Sequence, residues 1–211
     1  MPRSLGLILN PPADVCLTMQ MPLPCYDDLT ASLTEAWGRL ARGVKDRRSP
    51  FHTPVLATIG PDGSPQARTL VLRAADPAAR RLRFHTDWRS QKTLALSAHP
   101  RVAVHAYCPA SKIQLRLSGL ATHHAPLTPP ARDAYARSQE KSRICYAQKL
   151  APGAQMGAPD EAGQIEGGEE NFSVIEIAID QLEWLYLYAA GHRRAFYQWQ
   201  GEALTATWRA P

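Results

Sequence analysis

Between Lys112 and His123 the chain alternates Ile113, Leu115 and Leu117 with Gln114, Arg116 and Ser118. A period of two puts one apolar and one polar face on an extended strand, and the apolar face has to be covered by other elements of a sheet. Arg101–Tyr107 precedes it across Cys108-Pro-Ala-Ser111, which predicts a hairpin. Further strands are expected at 53–59, 66–73 and 81–86, with a loop at Gly60-Pro-Asp-Gly-Ser64 and a short reversal over Ala74–Arg80, so that this first part reads as a meander. Phe172–Tyr188 reads as a long strand, followed by a hairpin of Arg194–Trp199 with Ala203–Arg209. Only a few helices interrupt these strands. Leu29, Leu33, Trp37, Leu40 and Val44 share one helical face, capped by Asp27 or Asp28 and ended by Asp46-Arg-Arg-Ser-Pro50. Ser90 opens a helix that Pro100 stops, and Pro129-Pro130 start one reaching about Glu140. Strands at this spacing favour a small barrel over a sandwich or an α/β sheet, so the fold class expected is mainly β with a few peripheral helices.

With 211 residues, 45% hydrophobic and 20% charged, the chain suits one domain. Its 24 Lys and Arg against 19 Asp and Glu give a net charge of +5, compatible with an anionic ligand and too dilute to call for nucleic acid. The densest basic stretch, Arg42–Arg48, trails the first helix, where cations suit the C-terminal dipole; it reads as a solvated helix end. Cys16, Cys25, Cys108 and Cys145 form no CxxC pair, which points to a reducing cytoplasm and no cysteine-bound metal. His123 and His124, adjacent on a strand, face opposite sides and chelate nothing together, so no metal is expected. The start, MPRSLGLILNPPADV, has an apolar run of five residues cut by Asn-Pro-Pro, too short for a signal-peptide core or a membrane span. Residues 1–24 read as a disordered extension ahead of a domain over 25–211; Met19 and Met21 also allow an upstream mis-start of the first twenty residues. The Gly-, Pro- and acid-rich stretch over 150–170 is expected to be a loop. No GxSxG, P-loop or GxGxxG is present, which leaves serine hydrolase, nucleotide hydrolase and Rossmann readings unsupported.

The chemistry-bearing stretch runs from Arg68 to Lys92. Arg68 precedes and Arg73 follows the apolar run Thr69-Leu70-Val71-Leu72, and Ser90 with Lys92 stands at a predicted helix start, where free N–H groups favour an anion. Together these groups suit one phosphate. The competing reading is that Arg68, Arg73 and Lys92 are ordinary solvated charges, and that Trp184 and Trp199 are barrel core.

RTLVLR, Phe84-His85-Thr86 followed by Ser90 and Lys92, Gln114 in the long hairpin strand, Glu183-Trp184, His192-Arg193-Arg194-Ala-Phe-Tyr and the terminal Trp208-Arg-Ala-Pro211 resemble, in order and approximate spacing, the pyridoxamine 5′-phosphate oxidase-like FMN-binding split barrels. The resemblance covers about Pro50 to Pro211. It is closest to the branch with Ser142-Arg143, Pro152-Gly153 and Asn171-Phe172, whose members bind FMN and have no settled substrate. It implies a six-stranded FMN-binding split β-barrel. Arg68 and Lys92 would grip the FMN phosphate with Ser90 donating, Thr69–Leu72 would line the ring and ribityl chain, and Gln114 would hydrogen-bond the flavin. Trp184 and Arg194 would arrive from a partner subunit, making a homodimer with a shared site, while His192 and Arg193 would face substrate.

The departures from the family pattern bear on substrate. Arg73, His85, Thr86 and Gln91 belong to the cofactor-binding set that the resemblance implies; among them His85 stands where the family has Tyr, Arg73 where it has Lys and Gln91 where a phosphate-clamping Arg is usual, while Ala190 stands where an Arg precedes His192 by two. Tyr135 and Arg137 do not match the spacing of the usual substrate-phosphate set. The resemblance therefore implies a cytoplasmic FMN-dependent oxidoreductase with a small, planar or phosphate-bearing substrate and no catalytic side chain singled out. A non-catalytic flavin-binding protein and a true pyridoxamine/pyridoxine 5′-phosphate oxidase are the alternatives, and a basic nucleic-acid-binding barrel is a third.

Overall fold

The computed structural model describes residues 22–211. In chain order it holds α1 (Leu29–Lys45), a 3-10 turn (Pro50–His52), β1 (Val55–Ile59), β2 (Pro65–Thr69), β3 (Leu72–Asp76), β4 (Arg81–Asp87), α2 (Gln91–Ala98), β5 (Arg101–Cys108), β6 (Ile113–His124), α3 (Pro129–Ala136), α4 (Glu140–Arg143), β7 (Phe172–Tyr186), β8 (Arg193–Gln200) and β9 (Ala203–Arg209). The extension expected over 1–24 lies outside the described residues except for its last three, and there Leu23 packs against the core.

One antiparallel sheet runs β2-β1-β5-β6-β7-β4-β3, with β8 and β9 continuing from β7 as a ribbon. The sequence reads Gln66–Arg73 as a single strand; instead it breaks at Leu70 and Val71, and β2 and β3 lie at opposite edges of the sheet. Two linking residues span at most about 10 Å, so the edges must curl toward each other. This breaks the expected meander between β2 and β3 and gives the expected split barrel: six staves if β2 and β3 count as one interrupted strand, and not closed by hydrogen bonds. The interruption is held, with the Leu70 N–H donating to the Pro54 carbonyl at 3.0 Å. Leu70 faces the core and Leu72 is fully buried.

The bend that curls the sheet is visible between β6 and β7. Ser118 pairs with Gln181 and Gly119 with Ile179, so Asp180 is an extra residue on β7, a β-bulge. A Cβ on Gly119 would lie 2.1 Å from the Ala178 carbonyl oxygen. Gly119→Ala is expected to destabilise the protein by about 1–3 kcal/mol, the range for overpacking a core site, as read from denaturant midpoints.

The barrel interior is filled by Leu56, Leu82, Phe84, Leu115, Leu117, Ile175, Ile177, Leu182 and Tyr197, all nearly or fully buried. Each such side chain contributes roughly 1.5–3 kcal/mol on burial. Asp28 caps α1 by accepting from the Ala31 N–H at 2.9 Å. Trp37 and Leu40 then close one end of the core, while the Tyr197 hydroxyl donates to the Leu29 carbonyl at 2.7 Å. A second small core of Ala131, Ala134, Tyr146, Phe172 and Val174 seats α3 beside the start of β7. The helix expected to reach Glu140 stops at Ala136, because Arg143 turns back to donate to the Tyr135 and Ala136 carbonyls and lies 4.9 Å from the Tyr135 ring centroid. Cations at helix C-termini are favourable, which gives Arg143 its role.

Candidate functional site

Three strands and one helix bring the phosphate candidates together. Arg68 leaves β2 and donates only to neutral acceptors: the Thr58 hydroxyl at 2.7 Å, the Gln66 side-chain oxygen at 2.9 Å and the Leu56 carbonyl at 3.3 Å. Lys92, in the first turn of α2, donates to the hydroxyls of Thr86 and Ser90, both at 3.0 Å. Ser90 sits at the helix N-cap without a side-chain cap; its hydroxyl donates to the Asp87 carbonyl at 2.7 Å, its carbonyl accepts from the Thr93 N–H at 2.9 Å, and the Gln91 and Lys92 amides are left uncapped. Burial, and then the charge of Arg68, hold the Lys92 ammonium below its usual range, and burial does the same to Arg68. The nearby carboxylate, Asp87, is taken by Arg89 at 2.8 Å. Two half-buried cations that repel each other beside a free helix N-terminus fit a dianionic phosphate.

The cradle is braced from behind. Ser173 donates to the Thr86 carbonyl at 3.0 Å, so its oxygen can only accept from His123 Nε2 at 2.9 Å. His123 is therefore the Nε2–H tautomer, and burial, followed by His124 and Lys92, pushes it down to about 4, which keeps it neutral. His124 turns the other way to Glu176 at 3.2 Å, as alternation on a strand requires. Among the described residues no group of three metal-ligating side chains occurs. Arg89 also donates to the Gln148 and Lys149 carbonyls at 2.9 and 3.1 Å, which ties the start of the 150–170 loop to the cradle.

Arg73 and His85, on the far side of the 68–73 run and of β4, line a cavity of about 500 Å³. Its other walls are Lys45 and Arg47 at the end of α1, His52 of the 3-10 turn, Arg83 of β4, and Arg137, Ser138, Gln139 and Ser142 around α3 and α4. Lys45 and Arg47 are exposed, as the solvated helix end read from the sequence requires, and they also line this cavity. Tertiary packing also brings in Arg137 despite its unmatched spacing. Arg73 Nε is buried with no hydrogen-bond partner, whereas Arg83 is held by Glu176 at 2.7 Å.

Other candidates separate from this cluster. Gln91 is exposed at the first position of α2, Thr69 is exposed, and Val71 is half-buried. Gln114 is half-buried on β6, in register with Tyr107 and Leu185. The expectation that Trp184 reaches a partner's flavin is corrected. Its indole is fully buried in its own chain and tilted against Tyr186, because β7 turns Leu182, Trp184 and Tyr186 inward. Arg194 points outward and shares Glu183 with Arg116, at 3.8 and 3.3 Å. Arg193 pairs with Asp27 at 2.8 Å and lies 4.1 Å from the Tyr26 ring centroid, while His192 is exposed on the turn. Thr58 and Gln66, which aim Arg68, carried no signal in the sequence beyond their place on strands.

Residues 34–125 match the family described as "Pyridoxamine 5'-phosphate oxidase, FMN-binding domain". A pyridoxine/pyridoxamine 5'-phosphate oxidase of Chromobacterium violaceum is 37% identical over 84 residues, 40% of this chain and 37% of that protein. One of Rubrobacter xylanophilus is 33% identical over 104 residues, covering 49% and 41%. The matched segments thus span about two-fifths of these curated relatives. Among solved structures, a pyridoxamine 5'-phosphate oxidase-related, FMN-binding protein of Nostoc punctiforme superposes with a TM-score of 0.69 at 22% identity, over 84% of this chain and 96% of that one. PhzG of Burkholderia lata, solved with tetrahydrophenazine-1-carboxylic acid, gives 0.70 at 20% identity, over 92% and 99%. These two share the fold, and the family match covers the whole phosphate cradle. Residues 34–125 are thus similar to the FMN-binding domain of pyridoxamine 5′-phosphate oxidases, a domain whose cofactor is FMN, and the chain as a whole shares the fold of the two solved structures.

Proposed function

We propose that this protein is an FMN-dependent oxidoreductase acting on a small planar anion, and that two copies of the chain share each flavin site. Arg73 carries the reading: an uncommitted guanidinium opens onto a cavity with cations on several walls, one residue beyond the run that lines the cofactor. FMN, when bound, supplies a ring that takes up two electrons and a proton. Arg68, Lys92, Thr86 and Ser90 anchor its phosphate, and Arg73 with Arg137 orients the substrate's charged group. The Burkholderia lata protein binds tetrahydrophenazine-1-carboxylic acid, a ring carboxylic acid, on the same fold.

Purified protein should show flavin absorption bands, and a panel of planar phosphates and carboxylates carrying an oxidisable amine, alcohol or ring C–H should bleach them anaerobically. Bleaching by none of them, with no turnover, would favour the non-catalytic alternative. Gln91 and Ala190 supply no charge where the resemblance puts arginines in vitamin-processing enzymes. Negligible formation of pyridoxal phosphate is therefore expected, and Ala190→Arg alone is not expected to restore it; turnover near the common enzyme median of about 10 per second would make that oxidase the function.

The shared site rests on Gln114 and Arg194, both on the outward face of the sheet. FMN occupancy should then fall as protein is diluted through the dimer dissociation constant. A flavin-loaded monomer in sedimentation velocity would rule the shared site out.

A further inference from the structure

We propose that His85 makes anion binding in the Arg73 cavity proton-linked: its ring is neutral in the free cavity and takes up a proton when a dianionic group docks beside Arg73. This rests on the reading of that cavity as the substrate's anion site. Arg81, Arg83 and His85 alternate outward on β4 while Leu82 and Phe84 turn into the core, so strand geometry alone points the ring away from the barrel. Its edge packs on Phe172, with centroids 4.8 Å apart, and its nitrogens make no hydrogen bond with the described residues. A half-buried imidazole without an internal partner has its hydrogen-bonding capacity free for a ligand.

The surrounding charge decides the ring's state. β3 contributes Arg73, β4 contributes Arg83, the end of α1 contributes Lys45 and Arg47, and α3 contributes Arg137. His52, from the 3-10 turn, is tied to the Gly43 carbonyl at 2.6 Å. Two carboxylates stand on this side: Glu176 of β7 is shared by Arg83 and His124, and Asp133 of α3 pairs with Arg137 at 2.8 Å. Burial first, then Arg73 and Arg83, push His85 down to about 3, so the free ring is uncharged. A dianion seated among these cations reverses the local field. An opposite charge at 4–6 Å raises such a group by about 1–3 pH units. The ring then donates a charge-assisted hydrogen bond.

The sign follows from the raised value in the bound state. The extra affinity is complete below the free ring's value, falls by up to tenfold per pH unit, and is gone above the bound-state value of about 4–6.

Sulfate is the probe, since it exchanges no proton in this range, and FMN-loaded protein is used so that the Arg68–Lys92 cradle is already filled. The His85 ring signal, assigned by its loss in His85→Asn, is followed by NMR from acid to neutral pH with and without saturating sulfate. Calorimetry at pH 5 in buffers of different ionisation heat counts the protons taken up. The expected result is a His85 titration raised by about one unit or more, with proton uptake that disappears in both His85→Asn and His85→Phe while sulfate still binds. If sulfate binds and Arg73→Ala weakens it, but no proton is taken up and His85 does not shift, the proton link is wrong and the anion site stands. If sulfate does not bind, or binds equally well after Arg73→Ala, the anion site itself is wrong and the proton link falls with it.

Discussion

Arg68→Ala and Lys92→Ala are each expected to weaken FMN binding by about 1.5–3 kcal/mol, roughly tenfold to a hundredfold, and to leave riboflavin binding nearly unchanged. The asymmetry follows from the contacts. Arg68 and Lys92 touch only hydroxyl, amide and carbonyl oxygens in the protein, so removing either strands no buried carboxylate. What is lost is a charge-assisted contact to the phosphate. Titration of apo-protein with the two flavins measures it, and equal wild-type affinity for both would mean that no phosphate site exists here. Because the two cations repel in the free protein, Lys92→Ala relieves some strain on Arg68, and the double variant should lose less than the sum of the singles. Gln91→Arg is expected to tighten FMN binding, since position 91 is exposed at the helix start with room for a third cation.

Arg73→Ala is expected to lower kcat/KM for the anionic substrate by about tenfold to a hundredfold with FMN content unchanged, as loss of one guanidinium contact to a charged group costs about 1.5–3 kcal/mol. Arg73 has no internal partner at Nε, so in the protein without ligand its truncation breaks little. Arg73→Lys should recover only part of the loss, because an ammonium meets the anion as a point charge and not as a fork. A loss of bound flavin in Arg73→Ala would instead move this residue from the substrate cavity to the cofactor.

Much of the strand content was legible because period-two alternation is a local property of the chain. β5, β6, β8 and β9 fall within about one or two residues of where alternation and turn residues put them, and Asp28 caps α1 as its type and position require. The clustering of the proposed phosphate ligands is local for the same reason: Thr86, Ser90 and Lys92 sit within one strand-to-helix turn, where local geometry alone brings their side chains together. Tertiary structure decided what local pattern is blind to. RTLVLR reads as one strand, yet Leu70 and Val71 carry the chain from one sheet edge to the other, a consequence of barrel curvature and of the bulge at Gly119. The same curvature turns Trp184 inward, against a resemblance that would project it toward a second subunit. It also gathers Lys45, Arg47, Arg83 and Arg137 from separate elements around Arg73 and His85. No spacing rule links residues so far apart in sequence; only the packing of α1 and α3 against the strands of one sheet makes them neighbours.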